Sequence, residues 1–180
     1  MRIIAGKYKD QKIQTIDKST TRPIMSKMKE SIFSSLQFEL YDAEVLDLFA
    51  GSGSLGLESL SRGATSCVFV ETSKEAIKII NKNLSNIDEN AIIVNSDVFE
   101  WIIRSEDKYD LIFVDPPFDF DTEQINFLIN STYKNLRDTG KIILHRHSSS
   151  STTNIVKKLE LDKEKSFGQS ILRIYKKVNI

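Results

Sequence analysis

With 180 residues, 40% hydrophobic and 28% charged, the chain has the makeup of an ordinary globular protein with room for a substantial core. Lys+Arg and Asp+Glu both number 25, so bulk charge alone points to no polyanionic partner. One cysteine excludes an internal disulfide framework and fits a reducing compartment, no apolar stretch approaches a membrane span, and the charged amino-terminus lacks a signal peptide's apolar region; a cytoplasmic protein is expected.

In chain order, residues 2–5 and 12–15 read as a short β-hairpin about Gly6, outside the main sheet. Met28, Ile32, Phe33, Leu36 and Leu40 recur at helical spacing, which places a helix before the first strand. There follow strand 44–49, helix 54–62, strand 66–71, helix 74–86, strand 91–95, helix 98–105, strand 109–115, helix 122–136 and strand 140–146. This βα alternation predicts an α/β fold with a doubly wound, mostly parallel sheet. Residues 148–153 are Ser/Thr-rich and read as a loop, and 170–175 alternate as a final strand in a hairpin with the segment before it. The whole is expected to be one domain, an arm over 1–23 and a core over 24–180. Cys67, inside an apolar strand, reads as a small buried hydrophobe.

Two segments carry chemistry. The first is Asp47-Leu48-Phe49-Ala50-Gly51-Ser52-Gly53-Ser54-Leu55-Gly56, a strand end entering a glycine turn and then a helix. Gly51, Gly53 and Gly56 satisfy G-x-G-x-x-G, and Glu71 ends the next strand twenty residues after Gly51, so a dinucleotide-binding domain is a serious alternative. Asp47 argues against it. A carboxylate four residues before Gly51 would repel a pyrophosphate but welcome a cofactor bearing an amino group and a sulfonium, and S-adenosylmethionine fits where NAD fits poorly.

The second is Asp115-Pro116-Pro117-Phe118, after the apolar run 109–114. Two prolines continue neither strand nor helix, so they fix a rigid turn at the strand's C-terminal end, the edge where α/β sheets bind ligands. A carboxylate, a proline carbonyl and an aromatic face on one stiff loop suit a flat ring bearing an exocyclic amine.

The pattern of Asp47, Phe49, Gly51 and Gly53 with Asp115-Pro116-Pro117-Phe118 resembles the class I S-adenosylmethionine-dependent amino-methyltransferases. More narrowly, the chain resembles the bacterial 16S ribosomal RNA guanine-N2 methyltransferase D family. The further matches are Arg2-Ile3-Ile4-Ala5-Gly6-Lys7-Tyr8, Thr21-Arg22-Pro23, Lys27 and Lys29-Glu30 leading to Ile32-Phe33, and Leu55-Gly56-Leu57-Glu58 with Leu60-Ser61-Arg62-Gly63-Ala64. The likeness is good over 1–145 and weak beyond.

The resemblance implies a Rossmann-like, seven-stranded sheet with an antiparallel C-terminal strand. Of the cofactor, Asp47, Phe49 and the Gly51–Gly53 backbone would hold the methionine part, Glu71 the ribose hydroxyls, and Asp97 with Val98 the adenine, while Thr21, Arg22 and Pro23 would close over the methionine end. Asp97 also reads as a helix N-cap, a role compatible with the first. Asp115 and Pro116 would grip the amine hydrogens, and Pro117 and Phe118 would meet the base. The implied partner is 16S rRNA, within the small ribosomal subunit, met by a monomer with no metal. An adenine-N6 methyltransferase acting on RNA or DNA is the second reading; an oxidoreductase or non-catalytic nucleotide-binding module is the third.

The zero net charge conceals an uneven distribution, +5 over residues 1–31, +4 over 157–180 and −9 between them. Arg2, Lys7 and Lys12 are the expected phosphate contacts. The C-terminal lysines fit either a solvated tail or an RNA contact. Trp101 reads as core. His145-Arg146-His147 ends a strand near the expected site, but two histidines with no acidic or thiol ligand beside them make a weak metal signal. Arg146 stands where the family usually has an acidic residue.

Overall fold

The computed structural model describes residues 1–16, 26–150 and 155–178; Thr21, Arg22 and Pro23 lie outside them. Seven strands form one sheet: β1 Glu44–Leu48, β2 Ser66–Glu71, β3 Asn90–Asn95, β4 Tyr109–Val114, β5 Leu136–His147, β6 Leu159–Phe167 and β7 Ser170–Lys177. Their order is β3-β2-β1-β4-β5-β7-β6, with β1 to β5 parallel and β7 antiparallel to both neighbours. Helices α1 Ser26–Ser35, α2 Ser54–Ser61, α3 Lys74–Leu84, α4 Val98–Arg104 and α5 Thr122–Thr132 cover the two faces. This is the expected doubly wound fold, including the terminal hairpin.

Strand periodicity divides the core. Val45, Leu111 and Phe113 face a layer built from Ile3, Met28, Phe33, Leu57 and Phe69, while Leu46, Leu48, Ile112 and Val114 face Ile102, Ile125 and Ile129. Central β1 and β4 are buried on both faces, as parallel strands under helices must be. Edge strand β6 instead exposes Glu160, Lys163, Glu164 and Lys165, charges that discourage pairing with another chain.

Three expectations need correction. Residues 2–15 pair antiparallel outside the main sheet as expected, through the Arg2–Lys12 bridge and the bonds Ile3 N to Gln11 O (3.1 Å) and Ile13 N to Met1 O (2.9 Å), but the pairing is one bridge long instead of two strands and encloses left-handed Gly6 and Asp10. The helix predicted over 122–136 ends at Thr132. A 3₁₀ turn, Tyr133–Asn135, follows, and the strand starts at Leu136 instead of 140. Buried Asn135 donates Nδ2 to the carbonyls of Ser105 (3.0 Å) and Asp107 (2.8 Å), which draws the chain out of the helix. The helical spacing through Leu40 also outruns α1; Leu36 and Leu40 are buried in the turns after Ser35.

The arm is held by α2. Glu58, with no exposed surface, accepts Ile4 N (2.9 Å), Ala5 N (3.1 Å), Arg62 Nε (2.8 Å) and the buried Lys29 Nζ (2.9 Å). Ser61 adds contacts on either side of Gly6, whose φ of +89° and lack of a Cβ let the arm lie 1.8 Å, by hypothetical Cβ distance, from the Ser61 carbonyl. Burial alone would raise the Glu58 pKa, but Lys29 and the Ile4 amide together outweigh it and the net shift is downward. A depressed carboxylate stabilises the fold above its unfolded value of 4.5, and that contribution is lost as pH falls through the lower folded value. Glu58→Gln should therefore cost about 3–5 kcal/mol at neutral pH, because Lys29 is left charged and unpaired, and the deficit should shrink in acid. Urea denaturation at pH 7 and below pH 4 measures both.

Candidate active site

The register levels the strand ends: Leu48 pairs with both Val70 and Val114, and Val114 with Leu144. Residues just beyond them therefore share one edge, where the strand order reverses between β1 and β4. A cleft of about 640 Å³ opens there, lined among others by Asp47, Glu71, Asp97, Asp115, Phe118 and His145.

Phe49 takes a left-handed φ of +58° and starts the turn that Gly51 (+57°) and Gly53 (+76°) complete. Asp47, 1% exposed, reaches under this turn, its Oδ2 accepting Gly56 N at 3.0 Å. Gly56 serves packing, since a Cβ there would stand 2.2 Å from Phe69 Cε1 and 2.6 Å from Cys67 Sγ. Cys67 is buried, as its sequence context indicated, and burial pushes its thiol pKa up.

Glu71 Oε2 accepts Gly51 N (2.8 Å), and its Oε1 accepts Thr72 N and Ser73 N (both 2.8 Å), so this carboxylate also shapes the glycine turn. Asp97 does cap α4: its Oδ1 accepts Phe99 N (2.9 Å) and Glu100 N (3.1 Å), leaving Oδ2 outside the cap. Beside Val98 stands an aromatic wall the sequence reading did not name. Phe120 contacts Phe49 and Phe99, each with ring centres 5.6 Å apart. Trp101 is half-buried against this side's core, as expected.

Asp115, Pro116, Pro117 and Phe118 all line the cleft. The tip of β5 meets them with three consecutive side chains. Asp115 Oδ1 lies 2.6 Å from His145 Nδ1; Arg146 donates Nη1 to Pro117 O (3.1 Å) and Nη2 to Phe120 O; the Phe118 ring packs edge-on against His145 (5.3 Å) and His147 (6.0 Å). Sequence spacing missed this because His145 and Asp115 lie thirty residues apart, and only the β4–β5 register makes them neighbours. Among the described residues, no His/Cys/Asp/Glu group suits a metal ion and no helix is long and apolar enough to cross a membrane.

Asp47, Glu71 and Asp115 face one another across the cleft. Burial, then repulsion by Asp115 and Glu71, pushes the Asp47 pKa well above the usual carboxylate range, despite the Gly56 amide. Such a set of carboxylates is suited to a cationic ligand.

Arg2, Lys7 and Lys12 sit on the arm, not in the cleft. Lys7 pairs with Glu89 (2.7 Å) and Arg2 donates to the Asp10 carbonyl. The arm does reach the site: Thr15 and Ile16 line the cleft, and buried Asn83 joins Gln14 (2.8 and 3.0 Å) to Ser52 O (2.9 Å) in the glycine turn. Three of the seven C-terminal cations are matched locally, Lys176 by Glu160 and Asp162, Lys177 by Asp138 and Arg173 by Glu164.

Comparison with known proteins adds to this geometry. The model of the conserved hypothetical protein 95 family matches residues 1–176. The chain is 32% identical over 180 residues to ribosomal RNA small subunit methyltransferase D of Escherichia coli strain K12, covering 98% of this chain and 90% of that one. Its structure is similar to that of the Escherichia coli yhhF protein, with a TM-score of 0.88, 30% identity and coverage of 98% and 97%. The ribosomal protein L11 methylase of Lactobacillus delbrueckii subsp. bulgaricus, at a TM-score of 0.71, 17% identity and coverage of 97% and 90%, shares the fold.

The raised Asp47 pKa has a consequence for stability. A carboxyl whose folded value exceeds its unfolded value stabilises the fold below the unfolded value of 3.8 and loses that contribution as pH rises toward the folded one. Asp47→Asn keeps an acceptor for Gly56 N and removes the charge. It should raise the unfolding free energy of the ligand-free protein by about 1–2 kcal/mol at pH 7, a gain that fades below pH 3.8. Urea titrations at the two pH values would show it.

Proposed function

This chain belongs to the ribosomal RNA small subunit methyltransferase D family, conserved hypothetical protein 95, and from that premise we propose that it methylates the N2 amine of a guanine in 16S rRNA, using S-adenosylmethionine. The observation that carries the reading is one cleft holding both an acidic floor, Asp47 and Glu71, and the Asp115–Phe118 loop. The substrate is the RNA within the small ribosomal subunit and the enzyme acts as a cytoplasmic monomer.

The residues present fit the cofactor. A cleft of about 640 Å³ has the size of a ligand pocket, and its three mutually repelling carboxylates favour a cation. Asp47 and the Gly51–Gly53 turn would hold the methionine end. Glu71 would accept from the ribose diol, and Asp97 Oδ2 from the adenine amine, with Val98, Phe49 and Phe120 against the ring. Thr21, Arg22 and Pro23 would complete the methionine end. When bound, S-adenosylmethionine supplies a methyl group activated by its sulfonium.

The protein's part is to make the amine reactive. Guanine N2 is a poor nucleophile because its lone pair is delocalised into the ring. The Asp115 carboxylate and the Pro116 carbonyl accept its two hydrogens and favour a pyramidal nitrogen, and Asp115 stabilises the positive charge that develops there. Phe118 stacks on the base and Pro117 shapes its pocket, which requires the base to leave its helix. Arg2, Lys7 and Lys12 place phosphate contacts on the arm, which is tied to the glycine turn through Asn83.

The test offers the protein methyl-labelled S-adenosylmethionine with unmodified small subunits, naked 16S rRNA or duplex DNA, and identifies the labelled nucleoside. N2-methylguanosine from small subunits is expected, and Asp115→Ala should lower the rate roughly 10²- to 10³-fold, the scale for loss of one group aimed at developing charge. N6-methyladenine would reassign the base. No transfer together with no cofactor binding would overturn the reading.

A further inference from the structure

The tip of β5 has a role that the methyl-transfer chemistry above does not assign. His145 is 5% exposed and Arg146 3%, and each bonds to the substrate loop, His145 through Nδ1 and Arg146 through Nη1 and Nη2. Polar side chains this deep are costly to bury unless their bonds matter to the fold or the site. At His145 one nitrogen is satisfied, by Asp115 at 2.6 Å, while Nε2 is buried and has no partner among the described residues. An unpartnered buried N–H costs more than an unpartnered lone pair, so Nε2 is best written without a proton and Nδ1 as the donor to Asp115. That bond occupies Oδ1 and leaves Oδ2 for the substrate.

We propose that His145 is the positioning residue of the transfer site: its Nδ1–H fixes the Asp115 carboxylate in one rotamer, with Oδ2 presented to the substrate amine. Arg146 complements it by binding the carbonyls of Pro117 and Phe120, and the two imidazoles flank the Phe118 ring. Three successive strand residues thus hold the loop at its carboxylate, its backbone and its aromatic face. The inference rests on the methyltransferase reading. His145 acts through Asp115, since its free nitrogen is too buried to reach a substrate, and it takes no proton from the base.

The experiment measures single-turnover methyl transfer for wild type, His145→Leu and His145→Asn, the last keeping an N–H donor near the Nδ1 position. His145→Leu should lower the rate roughly 10- to 100-fold, the scale for a hydrogen bond to a charged group, with cofactor binding kept within about twofold as the check on folding. His145→Asn should recover most of the rate. His145→Leu with an unchanged rate, or with a change confined to KM, or His145→Asn with no recovery, overturns the proposal. Should His145→Leu fail to fold, ¹⁵N spectra of the wild-type ring decide: a neutral ring protonated on Nδ1, lost in Asp115→Ala, supports the proposal and an Nε2-protonated ring overturns it. Wild type that transfers methyl to no acceptor would instead sink the underlying methyltransferase reading.

Discussion

The level ending of β1, β2, β4 and β5 is the constraint on which the cleft depends. Parallel pairing sets Leu48 beside Val70 and Val114, and Val114 beside Leu144, so the next residues converge without any loop having to bring them together. Asp47, Glu71, Asp115 and His145 are thereby placed by the backbone hydrogen bonds of the sheet, the stiffest part of the molecule. A slip of one residue in any of these pairings would turn the side chain to the opposite face and into an apolar layer.

That placement is held against electrostatic resistance. Three carboxylates around one cleft repel one another, and Asp47 is desolvated as well. The fold offsets the cost with fixed donors: Gly56 N to Asp47, three backbone amides to Glu71, and His145 to Asp115. Outside the cleft, Glu58 works in the opposite sense. It gathers Lys29, Arg62 and two arm amides into a buried, fully engaged set behind the glycine turn. A tense site is thus backed by a satisfied one, and α2 belongs to both, through Gly56 in its first turn and Glu58 two residues later.

Periodicity and punctuation made most of this legible. Apolar runs ending at Glu71 and Asp115 marked strand ends, Asp47 stood out as a charge within an apolar strand, and glycine and proline pairs marked the turns that follow, because these signals are local. What escaped was long-range or double-purpose. The apolar spacing 125, 128, 129, 136 reads as helix until one sees Asn135 bonded to the 105–107 turn. The arm pairs only briefly with itself, since the amides of Ile4, Ala5 and Tyr8 go to Glu58 and Ser61, more than fifty residues away. Phe120 and Phe99 carry no motif, and their place in the aromatic wall beside Val98 depends on how the loop after Phe118 folds back.

Arg146 shows how a buried cation can hold a loop from behind. An acidic residue at this position would add a further negative charge to an edge already crowded with carboxylates. Burial lowers the Arg146 pKa, yet two loop carbonyls bind its guanidinium and Asp119 lies near enough to favour the charge. The loop that carries Phe118 is consequently held from behind by a cation, where a carboxylate could only have accepted from backbone N–H groups. Proline supplies none, and residues 116 and 117 are both proline. A donor with several N–H groups is the chemical type that can grip a loop of carbonyls, and arginine offers the most. Arg146 is therefore suited to the loop it holds, and the neighbouring His145 extends the same logic to the carboxylate.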